Sequence, residues 1–326
     1  METKKITEGG ILSAIQIILG LMLIPTGIGY SFYVEILLPI TMTLIVLRCG
    51  LKMGVLAGLN TVGIIMICFG NALIGVYGLQ ALFFGWLTGA ILNQKWSLVT
   101  DLLIECLVGC LFLLVLDWLT ARLVGVSLLD DEVTALVFEL APNIDASMIQ
   151  VIYYLSIAAV PVASVLISYI GSILVGYPIG ILQKTPKEKY WIIRYYKRTL
   201  PYVYQNKKVV RYLLVGVWVQ WHLWPYVSHP YLKAWVACSC AIAIYFILID
   251  EAKLIGQGIL LKWQQPLLAL IYHWGALLGL IYAFKWTGIL MIVIGAWVEK
   301  SMHLREKQTS YLACSMAQWT GVKKAF

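Results

Sequence analysis

The stretch LVTDLLIECLVGCLFLLVLDWLTA, residues 98–121, is long, apolar and almost unbroken. Only Asp101, Glu105 and Asp117 carry charge within it. At 1.5 Å per residue a helix over 98–121 is about 36 Å long, enough to cross the ~30 Å hydrocarbon core of a bilayer. The run is apolar on all sides rather than along one stripe, which suits a helix surrounded by lipid and other helices. A buried strand would be complete in about 4–8 residues.

The same pattern recurs on both sides of this stretch. Apolar runs at 11–29, 31–47, 53–69, 72–92, 98–121, 148–174, 212–228, 234–249, 265–284 and 286–298 predict about ten transmembrane helices. The runs 31–47, 234–249 and 286–298 are short for a span, so the count is eight to ten, with the last two runs able to form one broken or re-entrant element. The expected fold class is all-α, a polytopic membrane helix bundle. Composition agrees: 61% of the 326 residues are apolar and 12% are charged, and mean hydropathy is +0.86. So little polar surface excludes a soluble globular domain, a disordered chain and a nucleic-acid-binding module. The N-terminus, Met1-Glu2-Thr3-Lys4-Lys5 and then an apolar run, reads as an uncleaved first helix rather than a signal peptide.

The net charge of +8 reports threading rather than a nucleic-acid partner. Arg48, Lys52, Lys95, Lys253, Lys262 and the tail cations Lys300, Arg305, Lys307, Lys323 and Lys324 fall on one side of a ten-span chain. So does the segment 184–211, with nine bases and one acid. The opposite side holds 127–147, with five acids and no base. The bias places both termini in the cytoplasm. Four segments follow: a six-helix membrane domain (1–182), a basic-aromatic cytoplasmic connector (183–211), C-terminal transmembrane helices (212–299) and a cytoplasmic tail (300–326).

Charge inside a span is costly and marks candidate sites. Asp101 and Glu105, one turn apart, could bind a cation, relay protons, neutralise Lys95 or reach headgroups and loop cations at the interface. Glu35, Asn71, Gln80 and Asp117 are candidate substrate-binding residues, with Arg122 a local partner for Asp117. Pro25, Pro39 and Pro161 are expected to kink their helices and free carbonyls toward a cavity. Small residues four apart (Gly50/Gly54/Gly58, Gly85/Gly89, Gly176/Gly180, Gly275/Gly279) let helices approach closely. Gly10 and Ala14 repeat that spacing on the first helix and are candidate contacts for a membrane partner. The segment 186–211 mixes bases with tyrosines and Trp191; it reads as a helix on anionic headgroups or as a docking surface, interrupted at Leu200-Pro201.

Catalytic signatures are missing from the sequence. There is no HExxH, GxSxG, Walker A or Rossmann glycine pattern. The seven cysteines show no CxxC pair, and Cys106 and Cys110 read as small packing residues. No catalytic residue, metal or cofactor is expected, and the chain is not read as an enzyme. The lipid bilayer is the certain partner.

Several short stretches carry a likeness to a known family. Thr7-Glu8-Gly9-Gly10-Ile11-Leu12-Ser13-Ala14-Ile15 resembles the start of the DUF2232 (YybS-like) bacterial membrane proteins. Gln257-Gly258, Leu200-Pro201 and the block from Gly295 through Glu299 to Arg305 are similar to later features of that family. The family's first six helices are in turn similar to the substrate-capture (S) components of energy-coupling-factor transporters. The resemblance implies an S-component-like six-helix half with a C-terminal helical extension in the bacterial plasma membrane. It implies a small-molecule solute, a membrane partner subunit touching Gly10 and Ala14, and 127–147 as a cap. A non-enzymatic scaffold for cell-envelope assembly, docking through 186–211, is the alternative. A membrane enzyme would need more clustered polar groups than Asp101 and Glu105.

Overall fold

The computed structural model describes residues 2–125, 127, 129, 146–308, 310 and 312. Among them all regular structure is helical. Helix α1, Glu2–Leu23, tightens into a 3-10 turn at Ile24–Thr26 and stops at Gly27, whose φ is 73°. Pro25 therefore ends the first helix rather than kinking it. Helix α2, Ile28–Cys49, contains a six-residue π turn at Phe32–Leu37, with the Leu38 N–H donating to the Tyr33 carbonyl five residues back. Pro39 has no N–H for the Glu35 carbonyl, and the turn before it widens instead of breaking. Gly50, at φ 93°, separates α2 from α3, Leu51–Phe69, and Gly70, at φ 60°, closes α3. Helix α4 is Ala72–Leu92, α5 is Leu98–Val124, and α6 is Ala146–Gly176 with Pro161 inside it.

The basic-aromatic segment forms α7, Lys184–Arg194, a short helical turn at Tyr196–Thr199 and a 3-10 turn at Leu200–Tyr202 containing Pro201. Then come α8, Lys207–Leu223; α9, Pro230–Trp263; α10, Pro266–Tyr282; and α11, Phe284–Met302. Among the described residues seven helices, α1 to α6 and α9, are long and apolar enough to cross a membrane. Helix α8 has 17 residues and opens with Lys207, Lys208 and Arg211. The apolar part of α10, Pro266–Leu280, is short. Helix α11 has 19 residues and carries Lys285, Glu299 and Lys300. The loop expected after Ile249 does not form: α9 runs on for 34 residues, about 51 Å.

Two compact units emerge. One contains the residues up to Lys95, Ile104–Tyr190 and Leu223–Ala241; the other contains Trp96–Leu103, Trp191–His222 and the described residues from Ile242 on. Helices α5, α7 and α9, and α8 through Leu223, thus contribute to both.

In the first unit α2 and α4 lie closely side by side because α4 presents glycine to α2. A Cβ on Gly85 would fall 2.6 Å from Met42 Cβ and 2.7 Å from the Pro39 carbonyl oxygen, and one on Gly89 would fall 2.6 Å from Val46 Cβ. At that closeness the Thr43 hydroxyl lies 2.9 Å from the Pro39 carbonyl and 3.1 Å from the Gly85 carbonyl of the neighbouring helix. Helix α4 meets α3 through Trp86, whose indole N–H donates to the Gly54 carbonyl at 3.0 Å. Ser13 of α1 reaches the Ala57 carbonyl at 3.1 Å and the Thr61 hydroxyl at 2.9 Å on α3. Tyr33, Leu38, Met42, Ile45 and Leu82 fill the centre, each almost fully buried. The second unit has its own core of Tyr204, Leu254, Ile255, Met291, Val298 and Leu304. Ile18, Met22, Ile67 and Leu123 stand exposed on outer faces. On helices of this length such faces fit lipid, which solvates apolar side chains as well as a core does.

Gly85→Val is expected to destabilise the protein by about 1–3 kcal/mol through overpacking. Gly63→Ala should leave stability unchanged or slightly raised, because its added Cβ meets nothing within 4 Å. Thermal melts of the two variants in detergent that coincide would contradict the α2–α4 contact.

Candidate functional site

Helices α2, α4, α5 and α6 surround a cleft of about 880 Å³ in the first unit. That volume falls in the ~300–1,000 Å³ range of small-molecule sites. Helix periodicity explains which side chains reach it. On α4 the lining residues Tyr77, Gln80, Ala81 and Phe84 share one face, and on α5 Leu113, Leu116, Asp117 and Thr120 do the same. Helix α6 contributes Tyr153, Ser156, Ile157, Val160 and Ser164. Helix α2 contributes Tyr30, Val34, Glu35 and Pro39. The cleft is mainly aliphatic and aromatic with a few polar groups. Two of its walls carry turns disturbed by proline: the π turn before Pro39, and the turn at Pro161, which lacks the donor for the Ile157 carbonyl.

Three of the four residues singled out for substrate binding, Glu35, Gln80 and Asp117, line this one cleft. Glu35 is exposed on the widened turn, and Asp117 is buried. Asp117 accepts a hydrogen bond from the Ser127 hydroxyl at 2.8 Å, and Ser127 lies 3.0 Å from the Tyr231 hydroxyl at the start of α9. The Arg122 guanidinium lies 4.5 Å over the Trp118 ring. Asn71 stands elsewhere. It is exposed, and its side chain accepts the Leu73 N–H at 2.9 Å as the N-cap of α4. Of the expected cap, residues 128 and 130–145 lie outside the described residues.

Asp101 and Glu105 are both fully buried, which does not fit carboxylates reaching headgroups. Asp101 belongs to the segment that packs with the second unit, and Glu105 to the first. Glu105 accepts from the Thr88 hydroxyl at 2.9 Å, and Thr88 lies 3.0 Å from the Ser168 hydroxyl. Gly10 and Ala14 face outward on α1. An added Cβ on Gly10 would meet nothing within 4 Å, whereas Gly9 and Gly20 on the opposite face are packed. Among the paired glycines, Gly54, Gly58, Gly85 and Gly89 serve packing, while Gly50 and Gly180 serve turns.

The connector is less exposed than its composition suggested. Lys189 is buried, and its ammonium donates to the Leu92 and Gln94 carbonyls at 3.0 and 2.8 Å, capping the C-terminal end of α4. The Tyr190 ring stacks on Tyr177 with centroids 3.7 Å apart.

Sequence reasoning missed a second polar cluster, in the second unit. Asp250 and Glu251 are buried on α9. Arg305 Nη2 donates to Asp250 Oδ2 at 2.9 Å and to Glu251 Oε1 at 2.8 Å. Asp250 Oδ1 accepts the Gln205 N–H at 2.9 Å, and Glu299 Oε2 accepts the Arg305 N–H at 3.1 Å. His303, left-handed at φ 54°, ends α11 and turns the chain so that Arg305 returns to α9, while Leu304 beside it is buried. Burial opposes charge on Arg305, but Glu251 and Asp250 outweigh it and hold its pKa above the ordinary guanidinium value. Gly295 leaves room for the Glu251 carboxylate, which would collide with any Cβ there. The usable signal was the apolar pattern Leu254, Ile255, Ile259 beyond the charges, which continues a helix where two adjacent acids read as its end.

Arg305→Ala should cost about 3–5 kcal/mol, because it strands buried carboxylates. Arg305→Lys should recover part of that loss, and Gly295→Ala should also destabilise. Chemical or thermal unfolding of each variant checks this, and an unchanged Arg305→Ala melt would contradict the cluster.

No family model matches this chain, and no curated protein or solved structure matches it either.

Proposed function

We propose that this chain is a non-enzymatic membrane protein of the DUF2232 (YybS-like) kind whose first unit binds a small solute in an S-component-like bundle and acts with a membrane partner. The observation that carries the reading is the convergence of Glu35, Gln80 and Asp117 on one 880 Å³ cleft among α2, α4, α5 and α6. The outward-facing Gly10 and Ala14 on α1 support a partner contact, since none of the described residues lies within 4 Å of a Cβ added at Gly10. The distribution of Lys and Arg supports a bacterial cytoplasmic membrane location with both termini inside and about ten passes, α8, α10 and α11 completing the seven longer spans. Within 186–211, Lys189 and Tyr190 are buried, while Lys187, Arg194, Lys197 and Arg211 are exposed, the surface that docking in the alternative scaffold reading would use.

Thermal shift of the purified protein against a panel of vitamins, metal ions and small metabolites tests the reading. A true ligand at a hundredfold excess over its Kd should stabilise the fold by about 2.7 kcal/mol. Ser156→Trp places a large ring in the cleft from an exposed position and should abolish that shift without lowering the unliganded melt. If no compound shifts the wild-type melt and no subunit co-purifies, solute capture fails.

A further inference from the structure

The charge of the cleft runs against the charge of the chain. The protein has 24 Lys and Arg against 16 Asp and Glu. Among the described residues lining the cleft the acidic side chains are Glu35 and Asp117, and none is Lys, Arg or His. The walls also carry the rings of Tyr30, Tyr77, Phe84 and Tyr153. Aromatic faces attract cations. A carboxylate in a partly apolar wall attracts a cation more strongly than one in water and rejects an anion by like charge.

The same lining argues against a bare ion. A cleft of about 880 Å³ is far larger than a metal ion, and among the described residues no group of three His, Cys, Asp or Glu is placed to hold one. Apolar and aromatic walls call for a ligand body that buries carbon. We infer that the cleft selects an organic monocation: a protonated amine or quaternary ammonium group carried on an apolar, ring-sized body. The ammonium sits toward Glu35 or Asp117 and the body lies against the tyrosine and phenylalanine rings. This inference rests on the solute-binding reading and adds the ligand's charge to it.

The test uses full-length protein in phosphatidylcholine nanodiscs, with empty discs subtracted, and three probes on one indole body. These are tryptamine (cation), N-acetyltryptamine (neutral) and indole-3-propionate (anion). Calorimetric titration is expected to show tryptamine binding at least about tenfold more tightly than either analogue. Glu35→Gln, at an exposed position, should bring that preference below about threefold while leaving N-acetyltryptamine binding unchanged. Asp117→Asn keeps an acceptor for Ser127 and should act in the same direction; it is read instead if the first variant melts early. Equal binding of the three probes, or preference for the propionate, overturns charge selection and leaves solute binding standing. Binding by none of them also overturns this inference, and solute binding is then judged by the broader panel and the Ser156→Trp variant.

Discussion

Helices in lipid gain nothing by hiding apolar side chains from their surroundings, so close contact and hydrogen bonds between them must supply the cohesion. In the first unit that requirement is met between α2 and α4. Gly85 and Gly89 remove side chains where Met42, Thr43 and Val46 approach, and Thr43 then reaches a carbonyl of the neighbouring helix. The contact fixes α2 and α4 as two adjoining walls of the cleft. Gln80 and Phe84 precede Gly85 by about one turn and less, while Pro39 and Glu35 precede Met42 by about one and two turns on α2. Part of the site is therefore built beside a close helix–helix contact, a firm support for a binding surface.

Much of the architecture was legible in the sequence because lipid imposes few choices. Long apolar runs must be helices; the run at 72–92 matches a helix with the same bounds, and the run at 53–69 matches one that starts two residues earlier. Asn71 shows where that legibility ends. A polar residue near a span looks the same whether it faces a ligand or caps a helix, and only the backbone resolves the two. Glu35, Gln80 and Asp117 could each be picked out by cost, but their meeting at one cleft depends on helix rotation, which a nearly all-apolar sequence does not report. Pro25 and Pro39 illustrate the same point, since one ended a helix and the other widened it.

The missed cluster in the second unit has a different cause. Adjacent acids after an apolar run look like the end of a span, because a charge is cheap in water and costly in lipid. Asp250 and Glu251 instead remain in mid-helix because Arg305 returns to them after the left-handed turn at His303. The residues that meet are more than fifty positions apart. Local pattern could not announce the pairing. Gly295, which makes space for Glu251, looked like one more small residue among 27 glycines.

The π turn at Phe32–Leu37 has a geometric consequence for α2. An i to i+5 turn takes up one residue more than an α turn, so the helix after it is out of phase by roughly 100° with the helix before it. The two halves of α2 are thereby geared separately. The turn itself can present Glu35 to the cleft while the C-terminal half keeps Met42 and Val46 seated against glycine. A uniform α-helix would have one rotation to share between both tasks.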